Sequence, residues 1–242
     1  MLKILKTLQL QKNQLIKDVK NVKMRENFKG KPQINTNKCT NCNMCSSICP
    51  TGAISGQKID LGKCIFCLEC QRICPNSAIN YTTNNKMGAT NREDLITDGK
   101  LDPIKVKEEI QKTFGHSLKL RQVSAGGCNS CEMELNATSN ANFDIGRFGI
   151  EFVASPRHAD GIVITGPITK NMKEALEKTY QAVPDPKIII LVGACAISGG
   201  IYQNSTEIDR TFLEKHKVDL YIPGCPAHPL VIINAIIDFI GK

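Results

Sequence analysis

The sequence predicts two domains, a small α+β domain followed by a larger α/β domain whose sheet is mainly parallel. The chain has 242 residues, which is enough for one ordinary domain of about 100 to 200 residues and a small one. A cysteine-rich motif is repeated between residues 38 and 80. Beyond residue 117, β-type runs alternate with helical stretches. That alternation is typical of a parallel sheet with helices on both faces.

Residues 1–30 are predicted to form a basic N-terminal arm. Leu5, Leu8, Leu15 and Val19 have near-helical spacing among lysines, which predicts an amphipathic helix or a docking arm. Contact with anionic lipid is the alternative, because basic amphipathic segments can lie at a membrane surface. The arm has a lysine inside its first apolar run and no small-residue cleavage site, unlike a secretory signal. We therefore expect a cytoplasmic chain.

Residues 31–85 contain two cysteine runs of identical spacing, Cys-x2-Cys-x2-Cys-x3-Cys-Pro. The runs are Cys39, Cys42, Cys45 and Cys49, followed by Cys64, Cys67, Cys70 and Cys74. In two-cluster ferredoxins with this spacing, the last cysteine of each run binds the other cluster. The repeat therefore predicts an α+β dicluster ferredoxin-like domain with two 4Fe-4S clusters. Their ligand sets are Cys39, Cys42, Cys45 and Cys74, and Cys64, Cys67, Cys70 and Cys49. A pair of zinc sites and clusters without electron transfer are the alternatives.

Residues 86–117 are predicted to be a linker with one helix. Asp102 is placed to cap the helix, Pro103 to occupy its first turn and Gly115 to follow its last residue. Proline at the start and glycine just past the end are typical of a helix.

Residues 118–242 are predicted to form the α/β domain. Its predicted strands are 118–124, 148–154, 160–165, 187–193 and 218–222, and its predicted helices are 129–138, 168–182 and 227–241. The remaining cysteines, Cys128, Cys131, Cys195 and Cys225, each follow a strand. Ligands of open α/β sheets bind beyond the carboxyl ends of the strands, and glycines beside these cysteines let the backbone approach a bulky group. These four cysteines are thus predicted to bind a third 4Fe-4S cluster. Buried cysteines without a metal are the alternative.

The composition excludes several classes of protein. Twelve cysteines in a chain without an export signal indicate metal binding in preference to disulfides. The net charge of +8 falls to about +2 with three clusters of about −2 each, which argues against nucleic acid as a partner. The most apolar stretch, 230–240, is interrupted by Asn234 and Asp238 and is too short to span a membrane.

Two groups of segments carry a resemblance to known families. The segments 27–32 and 62–67 resemble the ferredoxin-type subunit of formate hydrogenlyase and related membrane-bound, group 4 NiFe hydrogenases. The segments 126–132, 155–160, 193–195 and 223–226 resemble the small subunit of those complexes. The chain is thus similar to a fusion of the two subunits. Its second domain is more distantly similar to the complex I subunit that carries the terminal 4Fe-4S cluster.

The resemblance implies a non-catalytic electron-transfer subunit. It implies a flavodoxin-like second domain, whose cluster would lie beside a NiFe centre in a separate large subunit. Other implied partners are membrane subunits of the complex and a soluble ferredoxin or formate dehydrogenase, with the chain peripheral on the inner face of the cell membrane. Two other functions stay open: the equivalent subunit of a nickel-free oxidoreductase related to complex I, and a stand-alone ferredoxin-like carrier.

Four further residues are candidates for a role near the third cluster. Glu132 and Glu134 follow Cys131, where either the dipole of the next helix or proton movement beside a partner would favour an acid. Arg157 and His158 are predicted to influence the potential of the third cluster by charge or a hydrogen bond, or to be ordinary surface residues.

Overall fold

The computed structural model describes residues 2–11 and 14–242, so Met1, Lys12 and Asn13 of the predicted arm lie outside the described residues. The arm begins as helix α1 (Leu2–Gln11), on which Ile4, Leu5 and Leu8 are exposed. Residues 14–30 contain no helix. Val19 is buried there, and its carbonyl accepts a hydrogen bond from Asn234 Nδ2 (3.0 Å). The amphipathic helix therefore accounts for the first part of the arm only, and the second part is docked on the protein.

The cysteine repeat folds into a ferredoxin-like region of short elements. They are β1 (Pro32–Ile34), α2 (Met44–Ile48), β2 (Ile54–Ser55), β3 (Lys58–Asp60), α3 (Glu69–Ile73) and β4 (Ile79–Tyr81). Strands β1 and β4 pair antiparallel, so the ends of the repeat lie side by side. Strand β3 pairs antiparallel with β2 and with β5 (Ile96–Thr97), a strand from the predicted linker.

The linker helix is shorter than the sequence predicts. Helix α4 (Glu108–Phe114) ends where expected, but it begins at Glu108, so Asp102 is not its cap and Pro103 is not in its first turn. The preceding segment has no regular structure, and Leu101 and Ile104 in it pack against the core. Burial of these two side chains thus outweighs the local preference for an early helix start.

The larger region is an α/β fold. In chain order it contains β6 (Leu118–Ser124), α5 (Ser130–Ala137), β7 (Ile150–Phe152), β8 (Gly161–Thr165), α6 (Lys170–Ala182), β9 (Ile188–Val192), α7 (Ala194–Ser198), α8 (Thr211–Lys215), β10 (Leu220–Ile222) and α9 (Pro229–Phe239). The strand order is β7-β6-β8-β9-β10, and all four pairings are parallel. The prediction of a mainly parallel sheet is therefore confirmed. The short helices α7 and α8 were not predicted.

The core lies on both faces of this sheet. Every residue of β8 and β9 is buried, as expected of central parallel strands covered by helices. Helix α9 is rich in apolar residues, and almost all of it is buried. The polar Asn234 is buried with them. In residues 2–11 and 14–242, no helix has the length and apolar character needed to cross a bilayer.

Polar and backbone contacts join the two regions. Arg92 donates to both carboxylate oxygens of Asp60 (2.9 and 2.7 Å). Ala89 pairs with Tyr221 as an antiparallel bridge at the β10 edge of the large sheet. Gln203 Nε2, near the end of α7, donates to the carbonyl of Thr51 (3.1 Å). These contacts hold the cysteine repeat, directly and through the segment that follows it, against the larger region.

Candidate iron-sulfur sites

The first cysteine set surrounds one small cavity. Its lining includes four thiols: Cys39, Cys42, Cys45 and Cys74. Cys74 comes from the second run of the repeat, and the other three come from the first. Burial raises the pKa of the Cys45 thiol, and repulsion from Cys74 and Cys39 raises it further. The structure thus brings together the four residues that the crossed pattern predicts, because antiparallel pairing of β1 with β4 places the two runs side by side.

The second set contains the crossing residue of the other run. Burial raises the pKa of Cys64 to about 12, and the charges of Cys70 and Cys49 act in the same direction. Burial also raises the pKa of Cys70, with further contributions from Cys67 and Cys49. Cys49 therefore lies with the three cysteines of the second run, as Cys74 lies with those of the first.

The two cysteine runs have equivalent backbone conformations and backbone hydrogen bonds. The amide of Ala53 donates to Cys49 Sγ (3.2 Å), and the amide of Ala78 donates to Cys74 Sγ (3.3 Å). Asn43 before α2 and Leu68 before α3 both have left-handed backbones, with φ of 59° and 70°. This conformation costs a leucine about 1–2 kcal/mol, so the surrounding loop must impose it. The pseudo-twofold symmetry of the repeat extends from its sequence to its hydrogen bonds.

Tyr81 contacts the second set and was not singled out from the sequence. Its hydroxyl lies 3.7 Å from Cys64 Sγ and 3.6 Å from Cys70 Sγ, and burial raises the pKa of Tyr81. A hydroxyl that stays protonated is a hydrogen-bond donor to thiolate sulfur. The residue has no motif of its own, and only its position in β4, after the last cysteine of the repeat, hints at this contact.

The third set lies at the carboxyl edge of the parallel sheet. Cys128 and Cys131 follow β6, Cys195 follows β9 and Cys225 follows β10. Burial raises the pKa of Cys131 to about 12 and that of Cys195 to about 11. Charge repulsion links Cys195 to Cys225 and Cys128, and links Cys131 to Cys225 and Cys195. The three strand-end loops therefore bring all four thiols together.

Two glycines leave room for the sulfurs of this set. A Cβ on Gly193 would lie 2.6 Å from Cys131 Sγ, and one on Gly200 would lie 2.9 Å from Cys195 Sγ. Gly193 also has a φ of +92°, which L side chains rarely adopt. The glycine at the end of β9 is thus required by the position of a cysteine in another loop.

Gly193→Ala is expected to abolish iron-sulfur loading at the third set and to spare the first two. Gly52→Ala is the matched control, because Gly52 also has a positive φ (+60°) but has open space where a Cβ would lie. The control should cost only backbone strain of about 1 kcal/mol. Iron content and Mössbauer spectra after anaerobic reconstitution measure the difference. Full loading of the Gly193→Ala chain would contradict this steric role.

The two glutamates near Cys131 have different surroundings. Glu132 is buried in the first turn of α5, and its Oε1 accepts from Ser124 Oγ (2.7 Å) and Thr165 Oγ1 (2.7 Å). It therefore ties the Cys128–Cys131 loop to the ends of β6 and β8. Glu134 lines a largely apolar cavity that also reaches Cys225, and burial raises its pKa.

Arg157 and His158 are not brought to the third set. Both are exposed, in a single helical turn that precedes β8. The cysteines follow the carboxyl ends of their strands, whereas these two residues lie at the amino end of β8. The predicted influence of Arg157 and His158 on the cluster potential is therefore not supported by their position.

The donor sets fit cubane clusters. Each set has four thiols, the soft donors that iron in such clusters prefers. Thiols whose pKa is raised by burial are protonated at neutral pH, so loading must release protons. In the described ranges no three His, Cys, Asp or Glu side chains are arranged around a single metal ion. A cubane is a different kind of site, since each of its thiolates binds a different iron atom.

Both the cysteine repeat and the larger region match models of known protein families. The family model of the 4Fe-4S binding domain matches residues 32–55 and 58–80. The model of the NADH ubiquinone oxidoreductase 20 kDa subunit family matches residues 128–239. An NADH-quinone oxidoreductase subunit of Geotalea daltonii is 42% identical over 119 residues, which are 48% of this chain and 69% of that one. The chain belongs to the 20 kDa subunit family. The repeat matches also indicate that it carries 4Fe-4S clusters.

Two other similar proteins are named as hydrogenase components. A probable membrane-bound hydrogenase subunit of Pyrococcus furiosus is 36% identical over 134 residues, covering 55% of this chain and 80% of the relative. Formate hydrogenlyase subunit 7 of Escherichia coli is 43% identical over 124 residues, covering 51% of this chain and 49% of the relative. Members of the family therefore occur in more than one kind of redox complex.

Proposed function

We propose that this chain is the electron-transfer iron-sulfur subunit of a membrane-bound NiFe hydrogenase complex, with a ferredoxin-type part and a small-subunit-like part in one polypeptide. The proposed domains are an arm (1–30), a two-cluster ferredoxin domain (31–85), a linker (86–117) and an α/β domain (118–242). The strand order of the large sheet, renumbered from its first strand, is 2-1-3-4-5. That order supports a flavodoxin-like assignment for the last domain.

Three 4Fe-4S clusters are proposed, one for each cysteine set. Bound clusters would supply one-electron transfer at each set. The first set is Cys39, Cys42, Cys45 and Cys74; the second is Cys64, Cys67, Cys70 and Cys49; and the third is Cys128, Cys131, Cys195 and Cys225. The chain's own contribution is to fix the thiols, donate amide and hydroxyl hydrogen bonds to their sulfurs and limit access of water.

The observation that carries this function is that the second and third sets border one cavity, which both Phe66, the residue before Cys67, and Cys225 line. The charge of Cys67 also raises the pKa of the Cys225 thiol, after burial of that sulfur and repulsion from Cys128. The second set therefore adjoins the third across the contact between the two regions. Crossed ligation in turn joins the first set to the second. The three sets form a relay through the chain, which suits transfer of electrons and not catalysis by this subunit.

The surface around the third set supports docking of a catalytic partner. Cys128 and Cys225 are exposed, and so are the apolar side chains of Met133 in α5 and of Ile201 and Tyr202 in the turn after α7. Exposed apolar groups of this kind are typical of a protein interface. We propose that a NiFe-type large subunit covers this edge and that membrane subunits hold the chain peripherally at the membrane. A soluble ferredoxin or formate dehydrogenase would exchange electrons at the first set, where Cys42 and Met44 are exposed.

A second candidate is the equivalent subunit of a nickel-free oxidoreductase. It is favoured by the 42% identity with a subunit named for NADH-quinone oxidoreductase, which lies between the 36% and 43% identities with the two hydrogenase relatives. In that case the three cysteine sets would keep the same roles, and only the partner at the third set would differ.

Metal analysis of the complex, purified anaerobically from its own cell, tests both candidates. The hydrogenase proposal expects nickel in a large subunit, hydrogen turnover, and more than the about 12 iron per copy of this chain that its three clusters would hold, because the NiFe centre contributes iron of its own. An active complex without nickel would reject it in favour of the second candidate. Zinc in place of iron would reject both.

A further inference from the structure

Arg210 holds the loop that carries Cys195. It lies immediately before α8, and its guanidinium reaches back to α7. There it donates to the carbonyls of Cys195 (3.3 Å), Ala196 (2.8 Å) and Ile197 (2.8 Å), and also to that of Pro167 (3.3 Å). The planar fork of arginine can serve several acceptors at once, which the single ammonium of lysine cannot match. A side chain 15 residues further along the chain therefore satisfies the last carbonyls of the short helix.

Among residues 2–11 and 14–242, no carboxylate forms an ion pair with Arg210. The adjacent Asp209 pairs with Lys173 (2.6 Å). Arg92, whose charge also acts on Arg210, pairs with Asp60 (2.7 Å). Within the part of the chain that the structure describes, the hydrogen-bond partners of Arg210 are carbonyl oxygens. Burial lowers the pKa of Arg210 without removing its charge at neutral pH.

The Arg210 charge acts on the nearest thiol of the third set. Arg210 Nη1 lies 3.3 Å from the carbonyl oxygen of Cys195, so its positive charge is held beside the backbone of the residue whose thiol would bind the cluster. A cluster bound to that thiolate gains one negative charge when it is reduced. A nearby, partly desolvated cation therefore stabilises the reduced cluster more than the oxidised cluster.

We propose that Arg210 is a positioning residue that also raises the reduction potential of the cluster bound at Cys195. This inference rests on the proposed function only in that the third set must hold a cluster. It assigns to Arg210 the influence that the sequence suggested for Arg157 and His158. Its two roles, holding carbonyls and supplying charge, are separable by substitution.

The test is a redox titration of the full-length, anaerobically reconstituted chain, followed by electron paramagnetic resonance. Arg210→Gln removes the charge, and the reduced fraction of the third cluster at a fixed potential is expected to fall roughly tenfold relative to the oxidised fraction. For one electron, that change is a downward shift of about 59 mV. Arg210→Lys keeps the charge and loses most of the carbonyl contacts, so its midpoint should stay near that of the unmodified chain while its thermal stability falls.

Tyr81→Phe is the matched control. It removes a hydroxyl that lies beside two cysteines of the second set, and it should leave the midpoint of the third cluster unchanged. Equal midpoints for Arg210→Gln and the unmodified chain would overturn the proposal. So would equal shifts in Arg210→Gln and Arg210→Lys, which would indicate a purely structural role.

A second variant covers the case in which Arg210→Gln does not retain the third cluster. Arg210→Met keeps an unbranched side chain at this position without the charge, so the midpoint of the third cluster should fall as in Arg210→Gln. A midpoint equal to that of the unmodified chain would contradict the inference. Failure of the proposed function is distinguishable, because the unmodified chain would then show no third-cluster signal and about 8 iron instead of about 12.

Discussion

Replacing Cys45 and Cys74 together is expected to remove the same single cluster that Cys74→Ala removes alone. Cys74 shares the first cavity with Cys45 although it belongs to the second run. If both thiols bind one cluster, loss of the second thiol cannot destroy a further one. Mössbauer spectroscopy of the reconstituted chain should therefore count two intact 4Fe-4S clusters in the single variant and two in the double variant.

The informative comparison is Cys74→Ala combined with Cys70→Ala. These residues belong to one run but to different sets, because Cys70 neighbours Cys49 and Cys67. Crossed ligation predicts one intact cluster in this variant. Ligation of each cluster by its own run predicts the reverse, with two intact clusters for Cys70 with Cys74 and one for Cys45 with Cys74. Counting only intact 4Fe-4S species keeps the two schemes distinct even where a damaged site retains some iron.

The cysteine sets were predictable because their geometry is fixed by local spacing and by the ends of strands. A Cys-x2-Cys step restricts the loop around a cube, and parallel strands necessarily end at the same edge of a sheet. The apolar runs of β8 and β9 likewise gave their positions, since both strands are fully buried. In each case the determining residues are neighbours in the sequence or obey one period.

Contacts between distant segments were not predictable in this way. Arg210 reaches a helix on the far side of a loop, and Tyr81 approaches two thiols from the last strand of the repeat. Neither residue lies in a recognisable sequence motif, because its role depends on contacts with segments that are distant in the sequence. The predicted start of the linker helix was wrong for a related reason. Leu101 and Ile104 pack against the core, so the start of α4 is determined by their burial and not by the capping residues in the sequence. Arg157 and His158 are the opposite case. Their local sequence suggested a role near the third set, but they lie at the amino end of β8, whereas the cysteines follow the carboxyl ends of their strands.

Removing the second cluster is expected to interrupt the relay between the other two. The variant is Cys67→Ala with Cys70→Ala, studied in the assembled complex with hydrogen as the reductant. Cys67 is the thiol of the repeat whose charge reaches Cys225, so the second cluster would be the route by which electrons leave the third. Hydrogen should then reduce the third cluster, whereas the first cluster should remain oxidised until a soluble mediator is added.

Cys39→Ala with Cys45→Ala is the matched control for this experiment, because it also removes one cluster and two thiols from the same domain. In that variant hydrogen should still reduce both the second and the third clusters at the rate of the unmodified complex. Rapid-freeze electron paramagnetic resonance resolves the order. If the first cluster were reduced as quickly without the second cluster as with it, electrons would have to enter the ferredoxin domain by another path. The proximity of the second set to the third would then have no part in electron transfer, and the linear order of the three sets would be wrong.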